Sequence, residues 1–158
     1  MKKNYILKCC IISFVIMMDL LTKILFKDKE FSLIPGLIGI NFLPYLNEGA
    51  SFNLFEGNTP FLVVISMIMI VFMVLFDMKY KPKSKLYSVG ISFVVGGAIG
   101  NLIDRIVLGG VRDFIFFEFW REFPVFNVAD CFLVIGVVIL IIFILFFNKE
   151  ESKKEDKK

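Results

Sequence analysis

Two carboxylates, Asp113 and Asp130, flank one connection between apolar stretches of this 158-residue chain. Asp113 lies in Gly110-Val111-Arg112-Asp113-Phe114 and Asp130 in Phe126-Asn127-Val128-Ala129-Asp130. Carboxyl groups brought together near a low-dielectric medium do not both ionise readily, so one keeps its proton while the other stays charged. Such a pair supplies a general acid and a general base; it can activate water and protonate a leaving nitrogen. The chain has no histidine. That removes Ser-His and Cys-His nucleophile pairs and most zinc and haem sites, and leaves carboxylates, lysine and hydroxyls. Each aspartate also has a plainer reading. Asp130 is equally a helix amino-terminal charge favoured by the macrodipole, worth about 0.3 to 1 kcal/mol, and Asp113 a loop acid paired with Arg112.

Other polar residues stand near them in the chain. Gly96-Gly97-Ala98-Ile99-Gly100 runs directly into Asn101-Leu102-Ile103-Asp104-Arg105. The glycines at 96 and 100 have GxxxG spacing, which helix packing alone explains. Asn101 shares a helix face with Asp104 and Arg105, three and four residues on, giving a polar stripe that enters the apolar stretch from one end. Asp19 and Lys23, at i and i+4, are placed to form an ion pair. Asn47-Glu48-Gly49 reads by itself as an ordinary turn. The aromatic run from Phe114 to Phe123, with Glu118, Trp120, Arg121 and Glu122, reads as a segment lying in a membrane interface.

The elements that must position these residues are membrane spans. Hydrophobic residues make up 58% of the chain, 20 of them Phe, and mean hydropathy is +0.79, more apolar than a soluble domain of this length can hide. A span needs roughly 20 mainly apolar residues, and four stretches qualify, about 5–26, 60–77, 86–108 and 130–147. Three lysines near the amino terminus (Lys2, Lys3, Lys8), four in the short loop 78–85 (Lys79, Lys81, Lys83, Lys85) and five in the tail 148–158 (Lys149, Lys153, Lys154, Lys157, Lys158) fall on one side of this arrangement. By the positive-inside rule that side is cytoplasmic. Both termini are expected inside, with 27–59 and 109–129 outside. Pro, Gly and Asn punctuation in 27–59 predicts short strands and turns on the outer surface. Charge at mid-bilayer costs roughly 2.5 to 3.5 kcal/mol on insertion scales, so the ionisable residues at span ends need a reason to be there.

Several classes are excluded or disfavoured. Met17 to Thr22 has no small-residue cleavage site and carries Asp19, so the first apolar run reads as a retained span rather than a cleaved leader. A net charge of +3, placed where topology accounts for it, gives no support for nucleic-acid binding. Cys9, Cys10 and Cys131 all lie in expected spans, where packing is their expected role and a disulfide framework is not. No phosphate-cradling or dinucleotide motif and no repeat of twenty to fifty residues is present, and no cofactor or metal is expected.

Taken together, Asp19 with Thr22-Lys23, Asn47-x-Gly49-Ala50-Ser51-Phe52, Gly100-Asn101-x-x-Asp104-Arg105, Val111-x-Asp113-Phe114 and Phe126-Asn127-x-Ala129-Asp130 resemble signal peptidase II, the bacterial prolipoprotein signal peptidase. The order and spacing match over nearly the whole chain. The resemblance implies an all-α integral membrane protein of four helices with a small extracytoplasmic β-rich cradle and an interfacial segment. It also implies an aspartyl endopeptidase of the bacterial cytoplasmic membrane, its active site facing the extracytoplasmic side. Its substrates would be diacylglyceryl-modified prolipoprotein signal peptides, cleaved before the lipidated cysteine. Membrane lipids and globomycin-type cyclic peptide inhibitors are the other partners it implies. Carried over by residue, Asp113 and Asp130 correspond to the catalytic pair and Asn101, Arg105 and Asn127 to substrate-positioning residues. Asp19, Lys23, Asn47, Gly49, Asp104 and Ala129 take supporting places. Arg112 departs from the resemblance, since an apolar residue often stands there; so do Asn53 and Leu54, which follow Phe52 where smaller residues are usual.

Two other readings use the same residues. Ser51 with Lys23 is a possible serine-lysine pair, because a desolvated lysine can act as a base. A small channel or transporter subunit would line its path with the intramembrane Asp and Arg, although that reading expects charges near mid-span, not clustered at one end.

Overall fold

A computed structural model describes residues 2–27, 29–41, 46–49, 54–80 and 83–147. Four long helices carry it: α1 (Lys2–Leu25), α2 (Thr59–Tyr80), α3 (Lys85–Leu108) and α4 (Val128–Ile142), the last continued by a π-helical turn, Phe143–Phe147. α1, α2 and α3 contain 24, 22 and 24 residues, or about 33 to 36 Å at 1.5 Å per residue, long enough to cross a hydrocarbon core of about 30 Å. Large apolar side chains stand exposed along α1, α2 and α4, among them Phe14, Ile68, Phe72, Val134 and Leu145. A surface of that kind is stable only against lipid.

α3 is the centre. Of its most apolar stretch 61% is buried within the protein, against 17%, 11% and 17% for the other three helices. It packs most extensively on α4, then on α1, then on α2. Its small residues make this possible. A Cβ at Gly96 would lie 2.8 Å from Val15 Cβ of α1, and one at Gly97 would lie 2.6 Å from the Ala129 carbonyl oxygen of α4. The GxxxG spacing is therefore a packing device, as its residues predicted. Ser88 and Ser92 are fully buried and return their hydroxyls to the carbonyls of Ser84 and Ser88 at 2.9 and 2.7 Å, so neither hydroxyl is left unsatisfied.

α2 is held to α1 at one end by an ion pair 2.5 Å long between Lys8 Nζ and Asp77 Oδ1. The partners are 69 residues apart, so no local spacing announces them. The cysteines do not all take the packing role expected of them. Cys9 and Cys10 are exposed on α1, where their side of the helix turns to lipid, and Cys131 is half-buried; all three are free thiols.

At the end of the bundle that carries the two aspartates, the connections form two small antiparallel sheets. β1 (Glu30–Ile34), β2 (Ile38–Asn41) and β5 (Ile115–Phe117) make one, in that order; β3 (Leu46–Asn47) and β4 (Val111–Arg112) make the other. The β1–β2 hairpin turns at Gly36, whose positive φ of 73° suits glycine. The Gly36 N–H donates to Glu118 Oε2 at 2.6 Å. The segment 114–123 is thus more than an interfacial anchor, since three of its residues are the outer strand of a sheet, with Ile40 opposite Ile115 and Ile38 opposite Phe117. Strand formation wins there because β2 offers an unpaired edge to a β-branched and aromatic run.

Two pairings set the surroundings of residue 113. Asn47 lies opposite Val111. Ile115 bridges Phe126, and the N–H groups of Phe114 and Ile115 both donate to the Phe126 carbonyl, at 3.0 and 2.8 Å. The first brings residue 47 to the strand leading into residue 113; the second ties off the excursion 115–126 at its neck and sets residue 113 beside residue 127. Ala50, Ser51, Phe52, Asn53, Lys81 and the tail 148–158 lie outside the described residues.

Close approach at Gly96 makes a measurable demand. Gly96→Val should reduce stability by about 1 to 3 kcal/mol through overpacking against Val15, whereas Val107→Ala, on a side chain 71% exposed, should be neutral. Thermal unfolding of the two variants in the same detergent checks this, and equal midpoints would remove the close-packing account of the α1–α3 contact.

Candidate active site

A cavity of about 670 Å³ opens where α2, α3 and α4 meet the small sheets. Its polar wall is made by Asn47, Asn101, Arg105, Asp113 and Asp130, and its apolar wall includes Phe117, Phe123, Phe126, Leu133 and Ile135.

Asp130 is in the first turn of α4. Asn127 is the amino-terminal cap: its Oδ1 accepts from the Asp130 N–H at 3.0 Å, while Asp130 Oδ2 accepts from the Asn127 N–H at 3.1 Å. This reciprocal capping box satisfies two otherwise orphaned donors and fixes the carboxyl at the positive end of the helix. Its other oxygen, Oδ1, accepts from Asn101 Nδ2 at 2.7 Å. Asp113 follows β4 and is 5% exposed. Its Oδ1 accepts from Asn127 Nδ2 at 2.7 Å and its Oδ2 from Asn47 Nδ2 at 2.8 Å. Asn47 is held in turn by the Gly49 N–H, which donates to its Oδ1 at 3.0 Å.

The two carboxyls are therefore joined by amides. Asn127 divides its NH2 group between Asp113 Oδ1 and Asn101 Oδ1, the latter at 3.0 Å, and Asn101 passes the chain to Asp130. Every acceptor in this chain has a donor and no amide is free to turn over. Burial, and next the negative charge of Asp130, push the Asp113 carboxyl up to about 6, against the lowering effect of the bonds from Asn47 and Asn127 and of the Lys23 charge. A carboxyl with that proton affinity, beside a second one, is suited to exchange protons near neutral pH.

The remaining residues singled out in the sequence take distinct places. Arg105 lines the cavity, donates through Nη2 to the Gly49 carbonyl at 3.1 Å, and keeps a buried Nε–H with no partner among the described residues. Asp19 and Lys23 form the expected pair at 2.8 Å, both without solvent exposure. Asp19 Oδ1 also accepts from the Ala129 N–H at 3.2 Å. Gly100 is required there, because a Cβ would fall 2.6 Å from Asp19 Oδ2. Asp104 does not reach the cavity. It accepts from Arg112 at Nη2 (2.6 Å), Nε (3.2 Å) and the backbone N–H (3.1 Å), and lies 3.0 Å from Lys23 Nζ. Arg112 therefore pairs with Asp104 and not with its neighbour Asp113, which sets aside the loop ion pair suggested by adjacency in the sequence. Lys23 is engaged by Asp19, Asp104 and Asn101, which argues against a free base for Ser51.

Cys131 and Ser66 also line the cavity, and nothing in the sequence marked them for it. The capping box was readable in principle, since Asn127-x-x-Asp130 before an apolar run has the spacing of a helix start. The Asp104–Arg112 fork was not, because a turn of unknown shape separates the two.

Known proteins share both the sequence and the fold. Residues 11–146 match the family described as signal peptidase (SPase) II. The chain is 46% identical over 114 residues to a lipoprotein signal peptidase of Enterococcus faecalis, covering 72% of this chain and 68% of that one. It is 36% identical over 137 residues to that of Clostridium novyi, covering 82% and 91%, and 39% identical over 145 residues to that of Caldicellulosiruptor bescii, covering 89% and 92%. Its fold superimposes on a bacterial membrane enzyme solved by the in meso method with a TM-score of 0.80 and 33% identity, over 96% of this chain and 93% of that one.

The sign of the coupling at Asp113 is testable. Removing the Asp130 charge relieves repulsion of the ionised form, so in Asp130→Asn the Asp113 carboxyl should titrate below about 6; in Asn47→Ala, which loses a bond to the ionised form, it should titrate higher. Carbon-13 titration of labelled aspartate in detergent reads both shifts, and an unmoved or opposite shift in Asp130→Asn would mean that the two carboxyls are not coupled.

Proposed function

The chain belongs to the signal peptidase II family of aspartic peptidases, and we propose that Asp113 and Asp130 are the pair with which it hydrolyses the bond before the lipidated cysteine of diacylglyceryl-modified prolipoproteins. The observation that carries the reading is that both carboxyls line one cavity and are linked through the amides of Asn127 and Asn101.

The chemistry rests on one proton shared by two acids. The ionised carboxyl takes a proton from water as the water oxygen attacks the peptide carbonyl carbon. The protonated carboxyl delivers its proton to the carbonyl oxygen. Collapse of the resulting diol breaks the carbon–nitrogen bond as the carboxyl that took the water proton passes it to the nitrogen and the other recovers a diol proton, leaving a new carboxylic acid and the amine of the amino-terminal cysteine. A signal helix filling the cavity displaces water, which strengthens each of these interactions. Arg105, with its unpartnered Nε–H, and Asn101, which lines the cavity beside the acids, are suited to hold substrate carbonyls, while Asn127, buried with both amide protons committed to Asp113 and Asn101, orients them. Asp19, Lys23, Asn47, Gly49, Asp104 and Ala129 act behind them, by holding the groups that touch the substrate. The apolar wall, from Phe117 to Ile135, suits a lipid-anchored helical substrate and cyclic lipopeptide inhibitors of the globomycin type.

The charge distribution supports the orientation. Lys8, Lys79, Lys83 and Lys85 lie towards the bundle end opposite the cavity, so both termini and the loop 78–85 face the cytoplasm, and the cavity with its sheets faces outward. In this orientation Asp130, in the first turn of α4, stands at the outer end of its span, close to where the cleavage point of a membrane-anchored signal peptide is expected.

Activity and topology are tested separately. Asp113→Asn and Asp130→Asn should each lower release of the signal peptide from a lipidated precursor at least about 100-fold, the range of general acid–base contributions; wild-type release by both would sink the assignment. In a background with Cys9, Cys10 and Cys131 replaced by Ala, Glu122→Cys should react with a membrane-impermeant maleimide on intact cells and Lys83→Cys only after permeabilisation. The reverse pattern would invert the topology.

A further inference from the structure

Lys23 is absent from the cavity wall, and its ammonium bonds to neither Asp113 nor Asp130, yet polar paths to both begin at it. Its side chain is fully buried. The ammonium has three protons and three partners: Asp19 Oδ2 at 2.8 Å, Asp104 Oδ2 at 3.0 Å and Asn101 Oδ1 at 3.4 Å. Each partner leads on to an aspartate. Asn101 donates to Asp130. Asp19 accepts from the N–H of Ala129, the residue before Asp130. Asp104 grips Arg112, the residue before Asp113, through its backbone N–H and both ends of its guanidinium fork.

The Asn101 branch fixes an orientation. If that amide turned over, its NH2 would meet the donors Lys23 Nζ and Asn127 Nδ2, and its oxygen would meet the Asp130 carboxylate. Both encounters are repulsive, so a cation behind Asn101 keeps the NH2 pointed at Asp130. The Asp104 branch fixes a position. A bidentate guanidinium bond together with a backbone N–H bond leaves the chain at residue 112 little freedom, and residue 113 inherits that. The charges in the cluster balance, with Asp19 and Asp104 against Lys23 and Arg112, as burial demands.

We propose that Lys23 is a positioning residue of the reaction: one buried charge sets the Asn101 amide that serves Asp130 and, through Asp104 and Arg112, the chain that carries Asp113. This rests on the peptidase reading of the aspartate pair. A purely structural ion pair would affect stability alone; a positioning residue affects turnover in protein that is fully folded and still binds substrate.

The test uses the whole protein in detergent or nanodiscs with a lipidated precursor. Lys23→Met alone would strand two buried carboxylates, so the informative form is the charge-balanced pair Asp19→Asn with Lys23→Met, in which Asp104 keeps Arg112. Its kcat should fall at least about tenfold, as expected for small misplacement of reacting groups, with KM within about twofold of wild type. A kcat that falls by less than about tenfold overturns the proposal. If the double variant does not fold, Arg112→Gln decides, because it cuts one branch at a side chain 25% exposed. A severalfold lower kcat at unchanged KM supports the proposal, and an unchanged kcat overturns it. Asp113→Asn measured alongside separates the two layers: full cleavage there would remove the aspartate reading itself, whatever Lys23 does.

Discussion

A charge buried at the end of a lipid-embedded bundle must be paired, and that requirement organises this end of the molecule. Leaving one ionised group uncompensated at such a site costs several kcal/mol. Lys23 therefore fixes where Asp19 and Asp104 go, and through them how closely α1 can approach α3. Gly100 exists to let Asp19 in. Asp104, once committed to Lys23, recruits Arg112 as well. The sheets then have one register that serves all these contacts, with Asn47 opposite Val111 and Phe126 bridged to Ile115.

The helix core divides its labour along α3. Its first half is small, apolar or self-satisfied, with serines bonding their own helix and glycines admitting neighbours. Its last turns carry Asn101, Asp104 and Arg105, which point to three different clients: Asp130, the Lys23–Arg112 cluster and the Gly49 carbonyl. All three share one helix face, and the turn of about 60° between Asn101 and Asp104 is enough to leave Asn101 and Arg105 on the cavity wall and Asp104 against Lys23 and Arg112.

What was legible in the sequence was what local spacing and composition control. Four apolar stretches, the Asp19–Lys23 pair at i and i+4, the close-packing glycines and the short strands of 27–59 are each written within a few residues. The family resemblance added which polar residues belong together. Contacts across the fold were not legible. Lys8 with Asp77, Lys23 with Asp104, and Asn127 bridging Asp113 to Asn101 each require knowledge of which helix ends meet. Arg112 shows the difference best. Adjacency suggested Asp113 as its partner, but successive residues at a strand end point to opposite sides, and the guanidinium turns to Asp104.

The bridge between Ile115 and Phe126 separates two kinds of variation. Residues 119 to 125, beyond the β5 pairing and the Glu118 contact with Gly36, form a noose closed at its base, and they supply aromatic and apolar wall without holding either aspartate. Closed at the neck, such a loop can change length or sequence with little strain transmitted beyond it. A drug that leans on this noose meets a surface that bacteria can redraw. One that grips the carboxyls and their asparagines meets groups bonded to one another, where a change at any of them disturbs the rest.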